Sequence, residues 1–162
     1  MFDPTTLVGF HTWLSLFAIV FGALGVAAAL SGNGASIWVP PFLATAILTS
    51  ATGYLLPAPG VLPSHVVGAI ALIVLAILLY ARFVKLLKGF WGGVDAVCMV
   101  SSLYFLVFVA VAQAFLKIPA LARAAPTGTE APFAGAQICV LLGFIYLGWI
   151  AVRNKHRPAH AG

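Results

Sequence analysis

The chain has 162 residues, of which 63% are hydrophobic and only 7% are charged. Its mean hydropathy of +1.13 excludes an ordinary soluble domain, because too few polar side chains remain to cover a core. The net charge of +5 would suit nucleic acid, but the cations lie beside apolar segments, where they set topology and contact anionic headgroups. Composition therefore predicts an integral membrane protein that has the lipid bilayer as its partner and binds no nucleic acid.

Five apolar segments follow one another along the chain. They cover residues 7–30, 37–56, 64–84, 94–116 and 133–152, and each reaches the length of about 20 residues that a membrane-crossing helix needs. We predict an all-α fold, with residues 1–162 as a single transmembrane domain and a polytopic bundle of five helices. The second choice is four spans, with the second segment re-entrant.

The first segment carries a stripe of small residues with one ionisable side chain. A 4-3-4-3-4 spacing puts six positions on one helical face, which favours close packing against neighbouring helices: His11, Ser15, Ala18, Gly22, Gly25 and Ala29. In the second segment, Thr45, Thr49 and Thr52 form a hydroxyl stripe, which we expect to bond back to carbonyl groups of the preceding turn.

The later segments carry fewer polar signals. Asp95 lies near the start of the fourth segment, where we interpret it as a charge that the helix dipole favours. Pro119 predicts the start of a short surface helix through Ala125. In the fifth segment Gly143 and Gly148 allow close helix packing.

The distribution of cations predicts the orientation. With five crossings, one side receives six lysines and arginines and the other receives two, Lys117 and Arg123. Positive residues accumulate on the cytoplasmic side, so we predict an outer N-terminus and a cytoplasmic C-terminus. The six are Arg82, Lys85, Lys88, Arg153, Lys155 and Arg157.

This orientation collects polar side chains from all five segments at the outer surface. Polar groups at membrane depth usually face the bundle interior, so we predict a polar ligand or partner pocket at this level. Its candidate binding residues are His11, Tyr54, His65, Gln113, Lys117 and Gln137. The histidines at 156 and 160 are interpreted as part of a solvated tail, because Pro158 interrupts any helix between them.

Three ligand chemistries remain open for the pair formed by His11 and His65. Two imidazoles on different helices at one depth suit a bis-histidine haem b. A metal ion would need further ligands from Asp3, Glu130 or water. A quinone or another amphipathic molecule could bind against polar donors and an apolar floor. Ion-coupled transport is disfavoured, because the deep layer lacks the carboxylates that transporters use.

Four runs of the chain resemble a group of small bacterial inner-membrane proteins that are known only as hypothetical. The runs are residues 49–53 (TSATG), 63–68 (PSHVVG), 113–121 (QAFLKIPAL) and 125–133 (APTGTEAPF). The resemblance implies a multi-pass protein of the bacterial inner membrane, but no activity. We predict a non-enzymatic accessory or binding subunit, associated with other membrane subunits or with copies of itself. The alternatives are an electron-transfer protein that binds haem b or a quinone and, third, a small transporter or channel.

Overall fold

The computed structural model describes residues 3–31, 33, 36–57 and 63–155, and these residues form helices joined by turns and contain no strand. The all-α prediction is thereby confirmed. The elements are α1 (Leu7–Leu30), α2 (Val39–Gly53), α3 (Pro63–Leu79), a π-helical turn (Tyr80–Val84), α4 (Trp91–Lys117), α5 (Pro119–Ala124) and α6 (Ala131–Lys155). The short α5 begins at its proline, as the sequence predicts.

Four helices are long and apolar enough to span a membrane. They are Leu7–Leu30, Ser64–Val84, Trp91–Lys117 and Ala131–Asn154, with mean hydropathies between 2.0 and 2.5. The second helix, Val39–Gly53, is apolar but has only 15 residues. It rises about 22 Å, against a hydrocarbon core of about 30 Å. The prediction of five spans therefore stays a prediction for this helix.

Successive long helices alternate in direction. Along α1, Gly25 lies beside Val39 and Met99, whereas His11 lies beside Gly53, so α2 runs antiparallel to α1. Helices α1 to α4 form a ring in which each contacts the next and α4 contacts α1, and α6 packs outside this ring against α4 and α1. The amide of Asn154, near the end of α6, donates to the carbonyl of Leu30 at 2.6 Å. The described chain therefore begins and ends at opposite ends of the bundle.

The small-residue stripe of α1 faces the interior, as predicted. Ala18, Gly22, Gly25 and Ala29 are buried, and the closest approach is at Gly22. A Cβ atom at this position would lie 2.7 Å from Cε2 of Phe42 and 2.9 Å from Cδ1 of Leu103. Glycine therefore allows α2 and α4 to contact α1 directly.

The turn between α3 and α4 contains a buried ion pair. Nε and Nη2 of Arg82 each donate to the Asp95 carboxylate at 2.9 Å, and the Asp95 side chain is only 2% exposed. Our interpretation of Asp95 as a helix-end charge is wrong, because Asp95 lies in the second turn of α4. Its carboxylate binds the Arg82 guanidinium through two hydrogen bonds, the bidentate geometry that strengthens such pairs.

Between Arg82 and Asp95, Leu86 and Leu87 have φ of 53° and 58°. This left-handed conformation costs about 1–2 kcal/mol for each residue with a Cβ.

Helix α6 is the least buried of the long helices, with 6% of its apolar window buried. A Cβ at Gly148 would lie 3.8 Å from Cγ1 of Val100, but a Cβ at Gly143 would meet no atom within 4 Å. Gly148 therefore packs near α4, whereas no atom of the described residues lies beside the face that Gly143 leaves open. The surface around Gly143 has the exposed apolar character expected of a helix that faces lipid.

Candidate functional site

The two ends of the bundle differ in the polar side chains they carry. We call the end with His11, Tyr54 and His65 the histidine end, and the end with Arg82 and Asp95 the arginine end. The start of α1, the end of α2 and the start of α3 meet at the histidine end. Both histidines therefore contact the last turns of α2, which lies next to both α1 and α3 in the ring.

His11 is positioned by a hydrogen bond to the second helix. Its Nδ1 lies 3.0 Å from Oγ1 of Thr52, and its Cε1 would lie 3.6 Å from a Cβ at Gly53. The hydroxyl of Thr52 also donates to the carbonyl of Leu48 at 2.7 Å, so its only proton is already used. With the Thr52 proton on that carbonyl, a neutral His11 donates through Nδ1–H and keeps its lone pair on Nε2.

His65 is covered by an aromatic ring from the same region of α2. The Tyr54 ring stacks on the imidazole with 5.5 Å between centroids and 17° between planes. The Tyr54 hydroxyl donates to the backbone carbonyl of His65 at 2.7 Å. A Cβ at Gly68, one turn further along α3, would lie 3.4 Å from that hydroxyl oxygen, so the glycine leaves room for the tyrosine.

The remaining predicted site residues lie on α4 and α6. The Gln137 side chain is buried, and its Nε2 donates to the carbonyl of Phe108 at 3.1 Å. This bond ties α6 to the middle of α4, so Gln137 lies deeper than the histidines. Gln113 is half-buried on α4, and Lys117 is exposed at the last residue of that helix.

The two acidic residues near the histidine end are engaged in their own loops. The Thr5 hydroxyl and amide donate to the Asp3 carboxylate and lower the pKa of that carboxyl. At Glu130, the backbone N–H of Thr127 is the main cause of a lowered pKa, with further bonds from the Thr127 hydroxyl and the Thr129 amide. Each carboxylate therefore holds a turn in place.

Metal coordination would need more ligands than this end brings together. Across the described ranges, no three side chains of histidine, cysteine, aspartate or glutamate form a group that could hold a metal ion. A metal bound by His11 and His65 would consequently depend on water for its other ligands. The neutral His11, with Nδ1 fixed by Thr52 and its lone pair on Nε2, has the form that an axial haem ligand or a hydrogen-bond acceptor requires.

Thr52 is the residue of this site that the sequence pattern did not connect to His11. The signal was available, because antiparallel pairing of segments one and two brings the start of the first level with the end of the second. The hydroxyl stripe itself is confirmed at Thr45 and Thr52, which donate to the carbonyls of Pro41 and Leu48. The Thr49 hydroxyl is buried and has no hydrogen-bond partner among the described residues.

The fold and the two polar ends define a class: an all-helical bundle with four helices long and apolar enough to span a membrane. Comparison with known protein families, with curated proteins and with solved structures finds no match to this chain. Function must therefore be argued from the geometry of the site alone.

Proposed function

We propose that the protein is a non-enzymatic, multi-pass subunit of the bacterial inner membrane that binds a ligand or partner at its histidine end. In this proposal α1, α2, α3, α4 and α6 cross the membrane. The N-terminus is outside and the C-terminus is cytoplasmic. Alternation of helix direction supports this topology, and so do Arg82, Lys85, Lys88 and Arg153 at the arginine end.

One observation carries the proposal: the hydrogen bond from Nδ1 of His11 to Thr52. The bond orients the imidazole and leaves Nε2 as an acceptor. Within the described residues, Nε2 has no hydrogen-bond partner. Gly53, which adds no side chain beside the ring, leaves space there. A hydroxyl or amine group of an amphipathic ligand would find an oriented acceptor at this position.

The same observation favours electron transfer as the second candidate. A metal-ligating histidine usually donates its other ring N–H to a fixed acceptor, and Thr52 supplies one for His11. His65 lies on the helix diagonally across the ring of four. A haem b held by both imidazoles, or a quinone bonded to His11, would use this arrangement. Against it, the Tyr54 ring covers one side of His65.

The test is a matched pair of threonine variants in the purified protein. Thr52→Val removes the acceptor of His11, whereas Thr45→Val removes the same type of back-bonded hydroxyl at a site without a histidine. Organic extracts and visible spectra of the wild type identify a co-purifying lipid, quinone or haem. We expect Thr52→Val, His11→Ala and His65→Ala to lower its occupancy, and Thr45→Val to leave it unchanged.

The outcomes separate the two candidates. A Soret and an alpha band in the reduced-minus-oxidised spectrum would replace the binding role by electron transfer. Equal occupancy in the Thr52→Val and Thr45→Val proteins would contradict a role for the His11 bond. Loss of unrelated properties in the two histidine variants would show that His11 and His65 do not act in one site.

A further inference from the structure

An apolar groove runs along the outside of the bundle between α4 and α6, away from the histidine end. Its walls extend from Val97 to Tyr104 on α4 and from Leu141 to Val152 on α6. Gly148 adds no side chain to the groove, and a Cβ at this position would lie 3.8 Å from Cγ1 of Val100.

The groove has the length of one leaflet of a bilayer. The eleven-residue step from Leu141 to Val152 corresponds to about 17 Å of helix, and half of the hydrocarbon core is about 15 Å. One end of the groove lies at the arginine end of the bundle, since the Asn154 amide of the same helix donates to the carbonyl of Leu30. At the other end of the groove, the rings of Tyr104 and Phe144 pack with their centroids 5.7 Å apart.

Where the groove reaches the arginine end of the bundle, Arg153 has no acidic partner among the described residues. The Arg153 guanidinium carbon is 5.2 Å from the ring centroid of Trp149, which lines the groove. The whole sequence has only three acidic residues. Of these, Asp95 binds Arg82, and Asp3 and Glu130 lie near the other end of the bundle. Among the described residues, no acidic side chain therefore pairs with Arg153, and its guanidinium can bind an anion from outside the bundle.

We propose that this groove is a binding site for one anionic phospholipid. An acyl chain lies along the groove against Gly148 and Trp149, and the phosphate contacts Arg153. The planar guanidinium suits phosphate because it can donate two parallel hydrogen bonds. The stack on Trp149 holds the guanidinium at the membrane surface, where aromatic and basic side chains anchor helices. This site is separate from the histidine end and does not depend on the function proposed for it.

The test counts lipids bound to the purified full-length protein by native mass spectrometry. The probes are phosphatidylglycerol and phosphatidylcholine with the same acyl chains. Gly148→Leu fills the groove, and Gly143→Leu adds the same side chain on an open face of α6 that is not part of the groove. Arg153→Gln removes the proposed phosphate contact, and Arg123→Gln removes a cation from the short helix α5 near the histidine end.

We expect one saturable phosphatidylglycerol site in the wild type. Arg153→Gln should weaken it about fivefold, the effect of one basic side chain at an anionic surface, without changing phosphatidylcholine binding. Gly148→Leu should weaken both lipids, and the two controls should weaken neither. If Gly148→Leu unfolds in a parallel thermal melt, the Arg153→Gln comparison decides the question.

Three results would overturn the proposal. The first is graded binding without saturation, which describes a general lipid shell. The second is equal affinity for the two headgroups in the wild type. The third is a Gly148→Leu protein that keeps its lipid but changes its oligomeric state, which would make the groove an interface between copies of the chain.

Discussion

Gly22→Ala adds one methyl group at the most crowded position of the small-residue stripe on α1. The new Cβ would lie 2.7 Å from Cε2 and 2.9 Å from Cδ2 of Phe42, and 2.9 Å from Cδ1 of Leu103. Real side chains do not approach so closely, so one of the three helices must move. Phe42 is 0% exposed and Leu103 4% exposed, and neither side chain can therefore turn outward to make room.

The expected cost follows from two opposing effects. Overpacking a filled core by one methyl group typically costs about 1–3 kcal/mol, whereas replacing glycine by alanine inside a helix gains about 1 kcal/mol. Gly143→Ala has the same gain and no clash, because no atom lies within 4 Å of its Cβ. The propensity effect cancels between the two variants, so their free energies of unfolding should differ by about 1–3 kcal/mol.

The measurement is reversible unfolding in mixed micelles, followed by the fluorescence of the four tryptophans. Gly22→Ala should unfold at a lower denaturant fraction than the wild type or Gly143→Ala. Phe42→Leu makes room at the contact with Gly22. The protein with both Gly22→Ala and Phe42→Leu should therefore lose less free energy of unfolding than the sum of the two single losses.

Equal stability of the Gly22→Ala and Gly143→Ala proteins would refute the reasoning. It would mean that α1, α2 and α4 are not in contact at Gly22. Additive effects of the Gly22 and Phe42 substitutions would show that these two residues do not meet, even if each one is destabilising.

Three further predictions concern the two ends of the bundle. Asp95→Asn should destabilise the protein by about 3–5 kcal/mol, because it leaves the guanidinium of Arg82 without its charged partner; a double substitution of both residues by leucine should restore much of the loss in the same unfolding assay. The pKa of Glu130 is lowered in the folded protein. The Glu130 carboxylate therefore stabilises the turn fully at any pH above the ordinary glutamate pKa of about 4.3. This stabilisation is lost as the pH falls through the lower pKa of the folded state. Hydrogen exchange at the Thr127 amide should therefore lose protection at acid pH in the wild type, and Glu130→Gln should abolish that dependence on pH. Finally, Thr129→Cys in a background lacking the exposed Cys139 should react with an impermeant thiol reagent in intact cells, and labelling only after lysis would reverse the proposed orientation.

Much of the helical framework could be predicted because the length of an apolar segment is a local signal. Segment one coincides with Leu7–Leu30, and the segments predicted at 64–84, 94–116 and 133–152 lie within or close to Ser64–Val84, Trp91–Lys117 and Ala131–Lys155. The exposure pattern of α1 was also predictable, since small residues on one face indicate close packing. The five-span count, the orientation, the bacterial inner membrane and the resemblance to small hypothetical proteins stay predictions.

The contacts between segments could not be predicted, because they depend on backbone conformations that the residues do not signal. Leucines do not indicate positive φ, yet Leu86 and Leu87 adopt it, and the turn they form brings Arg82 back to Asp95. For the bond between His11 and Thr52, antiparallel pairing of segments one and two indicates the shared level, but the register of α1 against α2 decides which side chains meet. The sequence therefore indicated which side chains are unusual, and only the fold indicated their partners.

The short second helix bears on the bilayer in which the protein resides. If α2 crosses as proposed, its length is about 8 Å less than the hydrocarbon thickness. Leu48 of this helix is 50% exposed, and Leu55, two residues beyond its end, is 66% exposed, so in this arrangement lipid contacts the helix and the bilayer has to thin around it. Bilayers of longer-chain lipids should then penalise the folded protein, and short-chain lipids should gather beside α2, which would give the molecule a preference for thin regions of its host membrane.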